Sequence, residues 1–232
     1  PIDAEAFISS IFAGHPADEH ILIARQLTAN SGGFTHSCWG GKAVRSWMRP
    51  TSIGALYFNV STVRQPQEEG GRWRRRTRDC IAAYVLVLDD VGTKSKPVTV
   101  EPTYKLETSA GNFQWGYRIN PCRDGDFYSA VVKAIANAGF GDPGAGGFNR
   151  LMRIPGSVNI KPGRNNFVST ITEWHPERCF ELEDLAKQFG VVPSACHVSR
   201  VTPSPIAGEN NQDNTDDMDH VLMWLKQNGH VI

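Results

Sequence analysis

Few of the residues that readily betray a function are present in this sequence. Its five cysteines (Cys38, Cys80, Cys122, Cys179 and Cys196) are odd in number and widely spaced. None forms a Cys-x-x-Cys, which argues against a disulfide framework and against a cysteine-built zinc site. The seven histidines include no His-x-His and no His-x-x-x-His. That argues against a histidine metal site and against a nickase of the relaxase type. The glycine-rich stretch 141–163 is followed by no Gly-Lys-Ser/Thr and contains no dinucleotide fingerprint. No apolar run approaches the ~20 residues of a membrane span, and no secretory leader is visible. Net charge is zero, so any anionic partner must be met by local clusters.

What is present is an ordinary globular composition, 40% hydrophobic and 21% charged over 232 residues. That suits one domain with an appended piece. The chain starts at Pro1 without a methionine and reads as a trimmed fragment. Asp3–Gly14 has the apolar stripe of a helix, with Asp3 as its cap. Gly54–Val63 alternates like a strand, and Cys80–Asp89 is apolar on both faces, like a central one. Thr103–Thr108 and Phe113–Ile119 read as a hairpin around Ser109–Asn112. Asp124–Gly139 is the clearest helix, with Phe127, Val131, Ala134, Ile135 and Ala138 on one face. Phe167–Trp174 is a further strand and Glu181–Gly190 a short helix. The order predicts an α+β domain with a mainly antiparallel sheet over 1–194. A polar linker would follow at 195–216, and the start of a helical region at 217–232.

Four segments can carry chemistry. In "YVLVLDDVGTKSK" a buried strand runs into Asp89 and Asp90. Paired carboxylates at a strand end call for compensation, and Mg²⁺ or Mn²⁺ is the natural compensator. A plain polar turn is the alternative. Neighbouring strand residues point to opposite faces, so both acids reach one site only if the chain turns right after Asp89. In "GRWRRRTRD", Arg72, Arg74, Arg75, Arg76 and Arg78 suit a phosphate backbone or a solvated loop, and Trp73 suits a stacked base. The hairpin offers Glu107, Ser109, Asn112, Gln114 and Arg118 across a tight turn. The glycine-rich stretch offers Asp142, Arg150, Arg153 and Lys161, with glycines that let backbone approach phosphates.

In this order, "LVLDDVGTK", "PTYKLETSAGNFQWGYRI", "GFGDPGAGGFNRLMRIPGSVNIKPG" and "ITEWHPE" resemble the archaeo-eukaryotic primase superfamily, closest to its RepB-like branch in phage and plasmid replication proteins. The resemblance covers roughly 57–189. It implies an RRM-like, mainly antiparallel sheet with flanking helices and an N-terminal αβ subdomain. It also implies a primase-polymerase, a metal-dependent, template-directed nucleotidyltransferase that makes primers or extends DNA. Asp89, Asp90 and Asp142 would be catalytic and hold two Mg²⁺ or Mn²⁺ ions, with Glu107 as the other candidate third ligand. Ser109, Asn112, Gln114, Arg150, Arg153, Asn159 and Lys161 would bind the nucleotide. Arg72, Trp73, Arg74, Arg75, Arg76 and Arg78 would bind nucleic acid. Partners would be single-stranded DNA template, nucleoside triphosphates and a helicase module of the same longer chain, in the cytoplasm of a bacterial host, with no membrane. Two departures stand out: the acids adjoin where the superfamily has acid-x-acid, and Gln114 stands where it often has histidine. A non-catalytic single-stranded-DNA-binding or helicase-loading module is the alternative from another class.

Overall fold

The apolar run that ends in Asp89–Asp90 lies in the middle of a sheet. In the computed structural model, residues 2–193 are described, apart from 30–32, 50–53 and 69. The elements in chain order begin with α1 (Ala4–Ile11), β1 (His20–Gln26), β2 (Thr35–Cys38), α2 (Lys42–Trp47) and β3 (Ala55–Val63). Then come β4 (Cys80–Val91), β5 (Tyr104–Ser109), β6 (Asn112–Cys122) and α3 (Gly125–Ile135). Last are β7 (Leu151–Arg153), β8 (Val158–Asn159), β9 (Phe167–Val168), β10 (Thr170–Trp174) and α4 (Leu182–Gln188). Seven strands follow the order β10-β5-β6-β4-β3-β1-β2, with β7 also on β3, and β8 and β9 form a separate pair. All these ladders are antiparallel. The expected α+β architecture is therefore observed.

Local chemistry accounts for the elements. The Asp3 carboxylate accepts the Ala6 N–H at 2.8 Å and starts α1, whose Phe7, Ile8 and Ile11 are buried. Asp124 caps α3 in the same way, through Asp126 N and Phe127 N. The buried face of α3 is Tyr128, Val131, Val132 and Ile135. It is rotated from the expected stripe, leaving Phe127 and Ala134 half-buried, because Tyr128 reaches the sheet and donates its hydroxyl to Val85 O at 2.9 Å. Gly139, at φ +92°, marks where the continuation of α3 ends.

Register decides how the layers pack. Tyr104 pairs with Gly116, so Tyr104 and the next residue, Tyr117, project from opposite faces. Phe7 of α1 meets Tyr104 edge-on at 4.9 Å. Tyr117 meets Phe180 and Phe189, beside α4, at 5.7 and 5.5 Å. Thus α1 covers one face and α4 the other, with α3 packed beside α4.

One edge of β3 is shared. Its Ser61 and Val63 pair with β4, whereas Tyr57, Phe58 and Asn59 pair with β7; β1 occupies the other edge. Strands β4 and β7 therefore part company, and a cleft opens between them. The linker at 195–216 and the helical start at 217–232 lie outside the described residues.

Gly116 lets α1 seat on the sheet. A Cβ there would stand 2.0 Å from the ring of the fully buried Tyr104. Gly116→Ala is expected to destabilise the domain by about 1–3 kcal/mol through overpacking. Urea unfolding checks this, and an unchanged midpoint would refute the close approach.

Candidate active site

Asp89 and Asp90 enter one cleft because β4 bulges there. Leu88 pairs with Trp115 and Val91 with Phe113, so two aspartates oppose the single residue Gln114. Asp90 takes the left-handed conformation, φ +59°, which aspartate tolerates better than most residues. Gly92 follows at φ +90°, where a Cβ would meet Gly111 O at 3.0 Å. The strand alternation that would have separated the acids is thereby cancelled. The turn required after Asp89 is present.

The two carboxylates differ in surroundings. Asp89 Oδ1 accepts Gln114 Nε2 at 3.2 Å and Asp90 N at 3.1 Å; Oδ2 accepts no hydrogen bond among the described residues. Burial, reinforced by the neighbouring Asp90 charge, pushes the Asp89 carboxyl above its ordinary value, against the pull of Gln114. Burial also pushes Asp90 up, but hydrogen bonds from Lys94 and Asn112, with Lys161 nearby, outweigh it and hold Asp90 below the usual range. Asn112 Nδ2 donates to Asp90 at 3.1 Å, and Asn112 Oδ1 accepts Thr93 Oγ1 at 2.5 Å. Such a half-buried carboxylate, with one oxygen free of hydrogen bonds among the described residues and a second carboxylate beside it, suits a divalent cation, which takes one or two carboxylates and completes its shell with phosphate oxygens.

The cleft holds about 340 Å³. Besides the aspartates, its lining includes Ser109, Asn112, Gln114, Arg150, Arg153, Asn159 and Lys161, all expected from the sequence. Gln114 joins the two walls: its Oε1 accepts the Arg153 N–H at 3.1 Å while its amide holds Asp89. Arg153 is 5% exposed. Its guanidinium donates to Val158 O at 3.2 Å and Asn159 Oδ1 at 2.9 Å, and lies 5.0 Å over the Tyr57 ring. Burial lowers its pKa, and among the described residues no carboxylate forms a salt bridge with it. Asn159 is fixed in turn by donating to Thr108 O at 2.8 Å. The lining thus carries two carboxylates and five cations, Arg75, Arg150, Arg153, Lys161 and Arg164. That balance suits a polyphosphate bound with a cation.

Other expected residues are placed differently. The Asp142 backbone N–H donates to Asp89 O at 3.1 Å, so it abuts the strand end. Its carboxylate accepts Gly144 N at 3.1 Å and does not line the cleft. Glu107 accepts Gly111 N at 2.8 Å and closes the β5–β6 turn. Among the described residues, no three His, Cys, Asp or Glu side chains are grouped to hold a metal. The arginine run also divides. Residues 71–76 carry no helix or strand, and exposure alternates: Arg72, Arg74 and Arg76 face solvent, while Trp73 and Arg75 turn inward. Trp73, half-buried, packs against the core with its ring 5.1 Å from His20. Arg75 joins the cleft, donating to Asn149 O at 3.1 Å and lying 5.8 Å over Phe34. Sequence reading passed over Phe34, Tyr57, Thr108 and Arg164, which reach the cleft through strand pairing and loop placement that no local motif signals.

The sequence matches the RepB DNA-primase N-terminal domain over residues 57–173; the chain belongs to that family, a primase-type domain of DNA replication. Among solved structures it is similar to the archaeo-eukaryotic primase domain of the cyanophage S-2L primase-polymerase. That match has TM-score 0.57 and 11% identity, covering 79% of this chain and 95% of that one. It is also similar to the catalytic domain of the primase RepB′ in complex with initiator DNA, at TM-score 0.53 and 16% identity, over 82% and 94% of the two chains. A second RepB′ structure matches at TM-score 0.51 and 16% identity, over 79% of this chain and 60% of that one. No curated protein matches by sequence. Among the described residues, no helix is long and apolar enough to cross a membrane.

The opposed environments of the aspartates give opposed pH signatures. Between the ordinary value of 3.8 and its raised native value, Asp89 binds more protons in the native state, so its contribution to stability falls as pH rises. Asp90 contributes stability above its ordinary value, which is lost as pH falls through the lowered native one. With metals chelated, Asp89→Asn, which retains an Oδ1 for Gln114, is expected to be more stable than wild type at neutral pH. The gain should vanish as pH falls through the Asp89 window. Denaturant midpoints across pH test this; an Asn variant less stable at neutral pH would show that burial of the charge is not what governs Asp89.

Proposed function

We propose that this domain is a template-directed nucleotidyltransferase that synthesises primers or extends DNA from nucleoside triphosphates. The observation that carries the reading is the β4 bulge, which delivers two adjacent carboxylates into a cleft lined by five cations.

In this reading, Asp89 and Asp90 would hold Mg²⁺ or Mn²⁺ beside the bound triphosphate. When bound, the cation lowers the pKa of the attacking hydroxyl and stabilises the pyrophosphate that leaves. Gln114 fixes Asp89 and, through the Arg153 N–H, sets the distance between the acidic and basic walls. Arg153 is pre-ordered by Asn159 and Tyr57, so little rotamer entropy is lost when it meets a phosphate. Arg150 and Lys161 neutralise the rest of the triphosphate. Asp142 supports the strand end through its backbone; we assign it a place at the cation only on the family resemblance, and Glu107 likewise. Single-stranded DNA would be the template. A helicase module of the same longer chain, in a bacterial host, is proposed on the same resemblance.

The presence of two carboxylates in the cleft, not three, favours the second reading, a nucleic-acid-binding module without chemistry. Asp90→Asn separates the two, because asparagine tolerates the left-handed backbone and keeps the fold. Incorporation of labelled NTPs and dNTPs on single-stranded DNA, with each metal, is expected to fall on the order of 100-fold or more. Wild-type protein that incorporates nothing with either metal would leave the binding module as the answer.

A further inference from the structure

Apart from the cleft, the domain has an outer groove of about 580 Å³ whose lining includes Arg64, Arg72, Arg74, Arg76 and Arg78. Among the described residues, two carboxylates, Glu68 and Asp79, share that lining. Arg76 is committed to Asp79, through hydrogen bonds of 2.6 and 3.0 Å. Those bonds, helped by the charges of Arg78 and Arg74, hold the Asp79 carboxyl below its usual range. Arg64, Arg72, Arg74 and Arg78 form no salt bridge among the described residues. Concentrated, mutually repelling guanidiniums around a concavity await an anion with several charges.

The backbone that builds this groove also borders the cleft. Alternation along 71–76 sends Arg72, Arg74 and Arg76 outward and Arg75 into the cleft, beside Arg150. Trp73, packed on the core against His20, pins the segment between them. Outward arginines two residues apart in extended chain recur about every 6.6 Å, comparable to the separation of phosphates along a stretched strand. An extended acidic peptide has the same period but no reason to lie next to a nucleotide cleft.

We infer that this groove is a track for the sugar–phosphate backbone of single-stranded nucleic acid, bound without regard to sequence, outside the nucleotide cleft. The reading of the cleft supplies only the source of the strand, as template; the groove's affinity does not depend on chemistry there. Arginine contacts of this kind release counterions, so affinity should fall with salt by about 0.7 log units per log unit of salt for each phosphate neutralised.

The test uses the full 232-residue chain, a labelled oligothymidylate and fluorescence anisotropy across a salt series. Replacing Arg72, Arg74 and Arg78 together by alanine is expected to flatten the salt slope by about 2. Between about 50 and about 200 mM salt, wild type should then lose about 20-fold more affinity than the variant. The triple lysine variant, which keeps the charge, should restore the slope, and circular dichroism verifies that both variants fold. Asp90→Asn should leave the slope alone. A slope unchanged in the alanine variant, or wild-type protein that does not bind the oligonucleotide, overturns the track. Wild type that shows the predicted slopes yet incorporates no nucleotide upholds the track and overturns only the polymerising reading.

Discussion

The site depends on a mismatch of one residue between two strands. Two aspartates of β4 face Gln114 of β6, and the surplus residue must go somewhere. It goes into a left-handed conformation at Asp90, which costs roughly 1–2 kcal/mol for an ordinary L residue and less for aspartate. The return is geometric: adjacent carboxylates reach one cleft with rigid backbone on both sides. An acid-x-acid arrangement attains the same end by ordinary strand alternation. Here the bulge does the work that spacing would do, and Gly92 and Asn112 hold the turn that follows.

Around that mismatch the polar network is built to keep charges apart and still fixed. Gln114 carries no charge, and that suits its position: it donates to Asp89 and accepts from the Arg153 backbone at once. A cation there would neutralise Asp89 and compete with a metal for it. Arg153 is held by neutral oxygens and an aromatic face and not by a carboxylate, so its charge remains available to a ligand. The cost appears at the half-buried Asp89, whose carboxyl is pushed above its ordinary value, a site poised for a cation at the expense of stability.

Much of this was legible along the chain. The apolar run of β4, the caps at Asp3 and Asp124 and the β5–β6 hairpin are local signals, and they predicted elements close to those observed. The N-terminal elements β1, β2 and α2 gave no usable period. β1 is a short run, Leu22 to Ala24 fully buried between two neighbours, which pattern alone does not distinguish from other apolar runs. The arginine run announced an anion site but concealed its division. Which arginines face which hollow was settled by Trp73 seeking the core, a preference visible only once the core exists.

The sequence by itself determined the central strand, its acidic terminus, the polar set from Ser109 to Lys161 and the family to which they belong, because these are carried by residue type and short-range order. Tertiary structure alone decided that Asp89 and Asp90 share a cleft, that Asp142 and Glu107 spend their carboxylates on turns, and that Arg75 parts from its neighbours. Those outcomes follow from register between strands distant in the chain and from competition for burial, and neither is written in any local stretch of residues.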